Sequence, residues 1–441
     1  MIIILRLYSM KLTIYRGTKE IGGTLIEVKT QNTKILIDAG YPLFLNNSPI
    51  DDNIAKLPYK KLLELGVLPA IEGLYAWDSN ADFDAVIISH AHLDHCGLLK
   101  YVHPEIPIYI SAGTGKLIEV TKLSVSFDSY DLKAKDFKMY EPFQIGDIKI
   151  KPYLMDHSAF DAAAFEIMAE NKIITYTGDF RGHGRKAVCL DRFIANATKQ
   201  ADVLLTEGTM LGRPGEKVLT ESELEELIIA KIKDNNMPVL FQSSSQNIDR
   251  IVSFYRAALK LKKNFVIDIY TANVLYELRQ LGNNLPYPSK EYSNIKVFYP
   301  YRLTQKIFND IGEKYAKRFS SFHIPKEKLK SEQNNIIMMV RPSMLRDIEK
   351  CNLNKGLFIY SLWEGYRDSD YQKKFEEHLK NRSFSSISIH TSGHASLLDI
   401  KRVIEGLNPK IIVPIHTMMP EAFKGISSKI KLLVDGAEYE V

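Results

Sequence analysis

The sequence predicts an α/β fold of the parallel-sheet kind, and three observations carry that prediction. Short apolar runs such as Ala85–Ser89, Asp202–Thr206 and Leu357–Ser361 alternate with stretches of helical periodicity. The chain has 441 residues, 45% hydrophobic and 25% charged, which suits two or three domains with a sizeable core. There is no internal repeat and no low-complexity tract, which excludes a disordered, collagen-like or coiled-coil chain.

The elements follow in order. Lys11–Arg16, Thr24–Lys29 and Lys34–Ile37 read as strands, with Gly22-Gly23 and Gln31-Asn32 as turns. Tyr59–Leu65 and Lys116–Ser126 read as helices, and Leu98–Val102 as the start of another. Ile145–Leu154, Ala163–Ala169 and Lys172–Thr177 read as further strands. After Gly208 the texture changes. Thr220 with Glu223 resembles a capping box, and Leu224, Leu227, Ile228 and Ile232 form a helical stripe. Val239–Gln242 is a strand, Ser243–Asn247 a polar loop, and Ile248, Ile251, Val252 and Tyr255 one face of a helix. Phe265–Ile269, Ile336–Val340 and Leu357–Ser361 read as buried strands between helices. Tyr315–Asn335 is polar and Lys-rich and reads as a surface excursion. Ser386–Ile389, Ile411–Pro414 and Lys431–Leu433 return to short strands.

Composition narrows the setting. Lys and Arg exceed Asp and Glu by 58 − 53 = 5, which permits an anionic partner without demanding one. Cys96, Cys189 and Cys351 are far apart and form no C-x-x-C, so a disulfide framework is excluded and a cytoplasmic setting is expected. No apolar run reaches the roughly 18 residues of a membrane span, and no membrane partner is expected. The first residues lack the pattern of a signal peptide, and Met10 is a candidate true start.

The chemistry is concentrated in Ser89-His90-Ala91-His92-Leu93-Asp94-His95-Cys96-Gly97, directly after a buried strand. Imidazole and carboxylate suit zinc and its neighbours, and a mixed cluster suits a two-metal site. One loop cannot complete two coordination spheres. His157, Asp179 and His416 each follow another strand and are candidates to complete them. Taken singly, each is more often a capping or core residue. Cys96 reads as core.

These residues resemble the metallo-β-lactamase superfamily, and Asp38 in Ile37-Asp38-Ala39-Gly40 resembles its first motif. The resemblance implies an αββα sandwich with His90, His92 and His157 on one metal, Asp94, His95 and His416 on a second, and Asp179 bridging both. Asp38 would support the metal loop without ligating. The long interval between Asp179 and His416 holds three stretches that resemble the β-CASP branch, which processes nucleic acids. They are Leu205-Thr206-Glu207-Gly208-Thr209, His390-Thr391-Ser392-Gly393-His394-Ala395-Ser396 and Pro414-Ile415-His416-Thr417. The nearest likeness is to RNase J-type and cleavage-factor-type nucleases. It implies a metallo-β-lactamase domain over 10–207 and 376–441, split by an inserted α/β β-CASP domain over 208–375.

The implied activity is hydrolysis of RNA phosphodiesters, exonucleolytic from the 5′ end, endonucleolytic, or both. A metal-bridging hydroxide held by Asp179 would attack, and His394 would be the general acid. Glu207 would orient a metal-loop histidine. Two divalent ions are implied, zinc first and manganese as the alternative. Ser243, Ser245, His390, Ser392, Gly393 and Ser396 would hold a 5′-phosphate, although Ser243–Ser245 equally suits ordinary helix capping. Gly178–Arg185 is either a phosphate guide or a solvated loop, and His183 is not counted as a ligand. The expected substrate is single-stranded RNA. No further module is expected after the last motif, which leaves a homodimer open. Alternatives are single-stranded DNA, a small phosphoester or thioester, or a paralogue that binds RNA or a partner without cutting.

Overall fold

The computed structural model describes residues 9–45, 48–50, 53–122, 132–213, 218–234, 236–282 and 284–441. The residues of the expected leader before Ser9, and residues 123–126 of the helix expected to reach Ser126, lie outside them. Two sheets face each other. The first runs Glu438–Glu440, Lys11–Arg16, Leu25–Lys29, Lys34–Ile37, Ala85–Ile87, Ile108–Ser111 and Ala134–Phe137. The second runs Ile411–Ile415, Val203–Glu207, Lys172–Tyr176, Ala163–Ala169, Ile148–Leu154 and Phe143–Ile145.

Strand alternation decides the layering. Ile26, Val28, Ile35 and Ile37 meet Ile150, Phe165, Ile174 and Leu205 in one core between the sheets. Their neighbours Leu25, Leu36 and Val86 point the other way, into a core shared with Leu62 of helix Tyr59–Glu64 and Leu117 of helix Ala112–Thr121. On the far side, Tyr153, Ala164, Leu204 and Ile412 pack on Leu190 and Phe193 of helix Val188–Asn196 and on Ile400 and Val403 of helix Leu397–Leu407. The result is the expected αββα sandwich. Each fully buried side chain of this size contributes about 1.5–3 kcal/mol relative to exposure.

The strands Val203–Glu207 and Ile411–Ile415 are parallel neighbours. Between them the chain builds a third sheet of six parallel strands, in the order Ile295–Phe298, Asn264–Asp268, Ile336–Met339, Val239–Gln242, Gly356–Tyr360 and Phe384–Ser388. Phe241 and Ile267 face the helices Glu221–Ile232, Ile248–Lys260 and Ile269–Leu278, whereas Leu240 and Phe358 face Ile348, Phe375 and Leu379. The central strands are covered on both faces and need apolar runs, which is why they show no alternation, whereas the edge strand Phe384–Ser388 is largely polar and exposed.

Several elements differ from the sequence reading. Residue 375 falls inside helix Asp370–Asn381, and Phe384–Ser388 pairs with Gly356–Tyr360, so the third sheet reaches beyond the expected boundary. Ile145–Leu154 is divided by a turn in which Gly146 has φ 52°. Leu99–Tyr101 is a single 3-10 turn. The Lys-rich stretch contains the helices Glu313–Lys317 and Lys326–Ser331, which bury Ala316 and Leu329. Lys431–Leu433 forms no strand, and the last strand is Glu438–Glu440, paired with Lys11–Arg16. All three cysteines are free and buried. Among the described residues, no helix is long and apolar enough to cross a membrane.

A buried ionic network joins the inserted sheet to the sandwich. Arg181 and Arg250 are both fully buried. Arg181 meets Asp249 at 2.6 Å, Asp156 at 3.3 Å and Glu221 at 3.4 Å. Arg250 meets Glu221 at 3.0 Å and donates to the Thr391 carbonyl at 3.0 Å and to Ser361 Oγ at 2.6 Å. Gly178–Arg185 is therefore structural at Arg181, and Arg185 is likewise engaged by Glu225 and Ser253. Burial alone would raise the Glu221 carboxyl, but Arg250 and Arg181 bring it down to about 2.

A depressed carboxylate contributes stability above its ordinary value of 4.5, and the contribution fades as pH falls toward 2. Glu221→Gln should therefore lower stability at neutral pH by about 3 kcal/mol, because two buried guanidinium groups lose a shared partner. Urea midpoints of the two proteins should converge between about pH 4.5 and pH 2. A gap that does not change with pH would rule out the ionised Glu221 as its source.

Candidate metal centre

The candidate residues meet where strand ends of both sheets open toward the third sheet. His90 and His92 leave strand Ala85–Ile87, and His92 precedes the short helix Leu93–Cys96 that carries Asp94 and His95. Two glycines allow the close approach. A Cβ on Gly40 would lie 1.9 Å from the Asp94 carbonyl oxygen. Gly178, at φ 55°, would place one 2.7 Å from the Ala163 carbonyl oxygen.

Three groups result, the second and third sharing Asp179 and His416. His90, His92 and His157 form the first, and Asp94, His95, Asp179 and His416 the second. Asp179, Glu207, His394 and His416 form the third. Within each group one ligand atom per residue lies within 4.8 Å of the others, so each could hold a metal ion. His157 Nε2 and His92 Nδ1 are 3.1 Å apart. Two nitrogens around a tetrahedral zinc stand roughly 3.4 Å apart, close to this spacing. Asp179 Oδ2 lies 3.2 Å from His95 Nε2, 3.7 Å from His90 Nε2 and 3.9 Å from His157 Nε2. Its Oδ1 lies 3.7 Å from His416 Nδ1. His416 Nε2 lies 3.2 Å from Asp94 Oδ2.

Among these atoms His90 Nε2, His95 Nε2 and Asp179 Oδ2 are buried and have no hydrogen-bond partner. Buried polar atoms are normally satisfied, and three such orphans converging on one point fit a divalent cation. Burial, reinforced by neighbouring rings, pushes His90 and His157 well below the ordinary imidazole range, and burial brings His92 to about 4. Neutral imidazole is the form that gives a lone pair to a metal. Burial would raise Asp179, but His416, His95 and His394 hold it well below the carboxylate range.

The supports are as definite as the cluster. Asp38 is fully buried at φ 59°. It accepts from Ser89 N at 2.7 Å, Ser89 Oγ at 2.8 Å and Tyr176 Oη at 2.6 Å, and it holds His95 Nδ1 at 2.7 Å. His157 Nδ1 donates to the Gly393 carbonyl at 2.6 Å, and His416 Nδ1 meets Thr209 Oγ1 at 2.9 Å. Such partners orient the imidazoles.

Glu207 behaves differently from expectation. Its carboxylate accepts backbone N–H groups from Phe180 at 2.9 Å, Thr209 at 3.2 Å and Ala395 at 3.3 Å. Its histidine partner is His394 Nδ1, at 3.2 Å, and not a histidine of the 90–95 loop. Burial would lower His394, but the Glu207 and Asp179 carboxylates raise it to about 8.

Most of the residues expected to hold a 5′-phosphate have other partners in the fold. Ser396 caps helix Leu397–Leu407 in a capping box with Asp399. Ser392 Oγ accepts from His394 N at 3.1 Å, and its carbonyl accepts from Arg181 at 3.3 Å and bonds His183 Nε2 at 2.9 Å. His390 lies 3.4 Å from Arg250, and burial with that charge brings it down to about 3. Ser245 meets Thr271 at 2.5 Å and also Arg341. The helix after Ser243–Ser245 is capped by Asn247, and the Ser243 hydroxyl is buried without a partner. Arg250, Glu221, Thr209 and Tyr176 were not legible as site supports, because no local pattern marks them.

Residues 33–223 match the Beta-lactamase superfamily domain. That segment, which carries Asp38, the 90–95 loop, His157, Asp179 and Glu207, is similar to the superfamily's domain. The chain is similar to Ribonuclease J of Helicobacter pylori (strain ATCC 700392 / 26695), with 24% identity over 98% of this chain and 61% of the relative. It is also similar to an RNase J-like protein of Methanocaldococcus jannaschii, with 28% identity over 59% of this chain and 58% of that one. The chain thus spans about three fifths of the length of the Helicobacter relative (61%). A solved structure titled as a protein of unknown function from Enterococcus faecalis V583 shares the fold. It gives a TM-score of 0.78 and 22% identity over 98% of this chain and 100% of that one.

The Asp38 arrangement makes a stability prediction. Asp38→Ala removes the acceptor for four buried donors and places alanine in a left-handed conformation, and it should cost about 3–5 kcal/mol. Asp38→Asn tolerates the same φ and keeps one acceptor oxygen, so it should lose roughly half as much. Urea unfolding of both variants measures the difference. Wild-type stability in Asp38→Ala would remove Asp38 from its supporting role.

Proposed function

We propose that the protein is a two-metal phosphodiester hydrolase acting on single-stranded RNA, with zinc as the first choice of metal and manganese as the second. The observation that carries this reading is the pair of ligand sets that flank Asp179, with three buried ligand atoms that have no hydrogen-bond partner. The likeness to Ribonuclease J supports RNA as the substrate. We take His90, His92 and His157 as one ligand set and Asp94, His95 and His416 as the other, with Asp179 between them. The inserted domain is taken to run from residue 208 through the strand Phe384–Ser388.

When bound, divalent ions there supply Lewis acidity toward a phosphate group. The chain's own residues supply the rest. Glu207 is saturated by three backbone N–H groups and His394, which argues against a ligand role and for a positioning one. It holds the Nδ1 edge of His394, leaving Nε2 as the nitrogen to hand a proton to a leaving oxygen. A histidine raised to about 8 carries that proton at neutral pH. Gly393 fixes His157 through its carbonyl, so the loop that delivers the acid also steadies a ligand. Ser243 keeps an uncommitted buried hydroxyl for a terminal phosphate. A non-catalytic paralogue is disfavoured because every expected ligand is present and brought together.

Purified protein supplied with zinc or manganese should retain about two ions per chain by elemental analysis. Asp179→Ala should reduce that content. His394→Ala should retain the ions and lose RNA cleavage by at least about 100-fold, the range for a general acid. RNAs bearing 5′-monophosphate, 5′-triphosphate or 5′-hydroxyl separate the modes. Mononucleotides from the first alone indicate 5′→3′ exonuclease action, and internal fragments from all three indicate an endonuclease. No metal uptake, or full activity in His394→Ala, overturns the corresponding assignment.

A further inference from the structure

The stretch Ser361-Leu362-Trp363-Glu364-Gly365-Tyr366 leaves the carboxyl end of strand Gly356–Tyr360, and the ligand set gives it no task. It is nevertheless carefully held. The Tyr360 hydroxyl donates to the Trp363 carbonyl at 3.1 Å. Arg367 grips Glu364 at 3.1 Å and Glu376 at 2.7 Å while its guanidinium lies 4.7 Å from the Tyr360 ring centroid. Held from beneath, the turn leaves Tyr366 56% exposed. Trp363 and Tyr366 meet edge to face, with centroids 5.3 Å apart and planes at 89°.

Two observations aim this pair at the metal centre. Arg213, in the loop that follows Thr209, lays its guanidinium 4.4 Å from the Trp363 ring centroid. Thr209 in turn holds His416, so that loop links the tryptophan to the cluster. The Tyr366 phenol is pushed up by burial and by the Asp94 carboxylate, against the opposing charge of Arg213. The ring itself stays open to solvent. Apolar exposure continues around the same mouth. Met418 and Met419, just after His416, are 48% and 47% exposed, and a Cβ on Gly212, beside Arg213, would lie 2.5 Å from Met419 Cγ.

A mouth that had only to admit a phosphate would be lined by donors and cations. Exposed aromatic and thioether surface beside it is unfavourable in water, and such patches mark binding sites. The π-face of a nucleobase matches it, and stacking on aromatic side chains accepts any base. In a duplex those faces are already covered by neighbouring pairs.

We propose that Tyr366 and Trp363 form a stacking wall for an unpaired nucleobase next to the phosphate being cleaved, with Arg213 fixing Trp363 and facing the adjoining backbone charge. The inference rests on the RNA-hydrolase reading and adds the residues that select single-stranded substrate. Tyr366 acts here as a specificity residue, not as a catalytic one.

The chain has two tryptophans, Trp77 and Trp363, so Trp77→Phe leaves Trp363 as the single reporter. In the metal-loaded Trp77→Phe protein, a slowly cleaved phosphorothioate oligoadenylate should quench the tryptophan emission. An abasic oligomer of equal length and charge should not. Tyr366→Ala should raise KM for single-stranded RNA about 10-fold with little change in kcat, and Tyr366→Phe should stay within about two-fold of wild type. Metal content and urea midpoint should be unchanged in both. If wild-type protein neither binds nor cleaves RNA, the RNA-hydrolase reading fails. If it cleaves RNA but Tyr366→Ala keeps its KM, or the abasic oligomer quenches equally, the stacking wall is overturned.

Discussion

The parallel pairing of Val203–Glu207 with Ile411–Ile415 is the constraint on which the rest depends. Parallel neighbours cannot be joined by a tight turn, because the chain must cross back to the starting end of the sheet. Here the crossover holds an entire six-stranded sheet. The register that closes it sets Glu207 opposite Ile415, so His416 emerges beside the strand end that carries Glu207 and Thr209. The returning chain must also pass the site, and it does so as the loop 390–396 that presents His394 to Glu207 and Gly393 to His157. One register thus brings together chemistry that is far apart in sequence.

That closure requires charge in the interior. Removing two guanidinium groups from water is costly, and the cost is offset only where each finds several partners. Arg181 and Arg250 share Glu221, and between them they reach Asp156, Asp249 and the carbonyls of Thr391 and Ser392. The partners come from the sandwich, from the first two helices of the insert and from the returning loop. An apolar joint of equal area would bind these pieces without fixing their angle. Directional bonds fix it, and the position of His394 depends on that angle.

The legible part of the molecule follows from local rules. His90, His92, Asp94 and His95 fall within six consecutive residues after a buried strand, so residue type and spacing were enough to mark them. The buried strands of the third sheet were legible because parallel sheets covered on both faces need continuous apolar runs. The illegible part is tertiary. Residues 313–331 were masked by their lysines, although Ala316 and Leu329 face inward. Ser396 was read as a phosphate donor because a capping serine and an anion-binding serine look alike in sequence. Asp399 at the third helical position decides for the cap. Glu207 was placed at the site, but its partner could not be chosen between histidines that converge only in three dimensions.

The same distinction explains where backbone strain is tolerated. Asp38 and His416 both sit at positive φ, 59° and 49°, a region that few residues other than Gly enter, with Asn, Asp and His the commonest exceptions. Asp38 is held there by Ser89, Tyr176 and His95, and His416 by Thr209 and by its own N–H to the Gly17 carbonyl at 2.7 Å. Each strained residue is over-determined by several bonds, which is the condition under which such conformations persist. The left-handed turn lets a residue leave a strand end and double back at once, so its side chain stays over the sheet edge instead of continuing past it. A regular strand exit would carry the His416 imidazole away from Asp179. The strain is therefore the geometric means by which two sheets present their side chains to a single point.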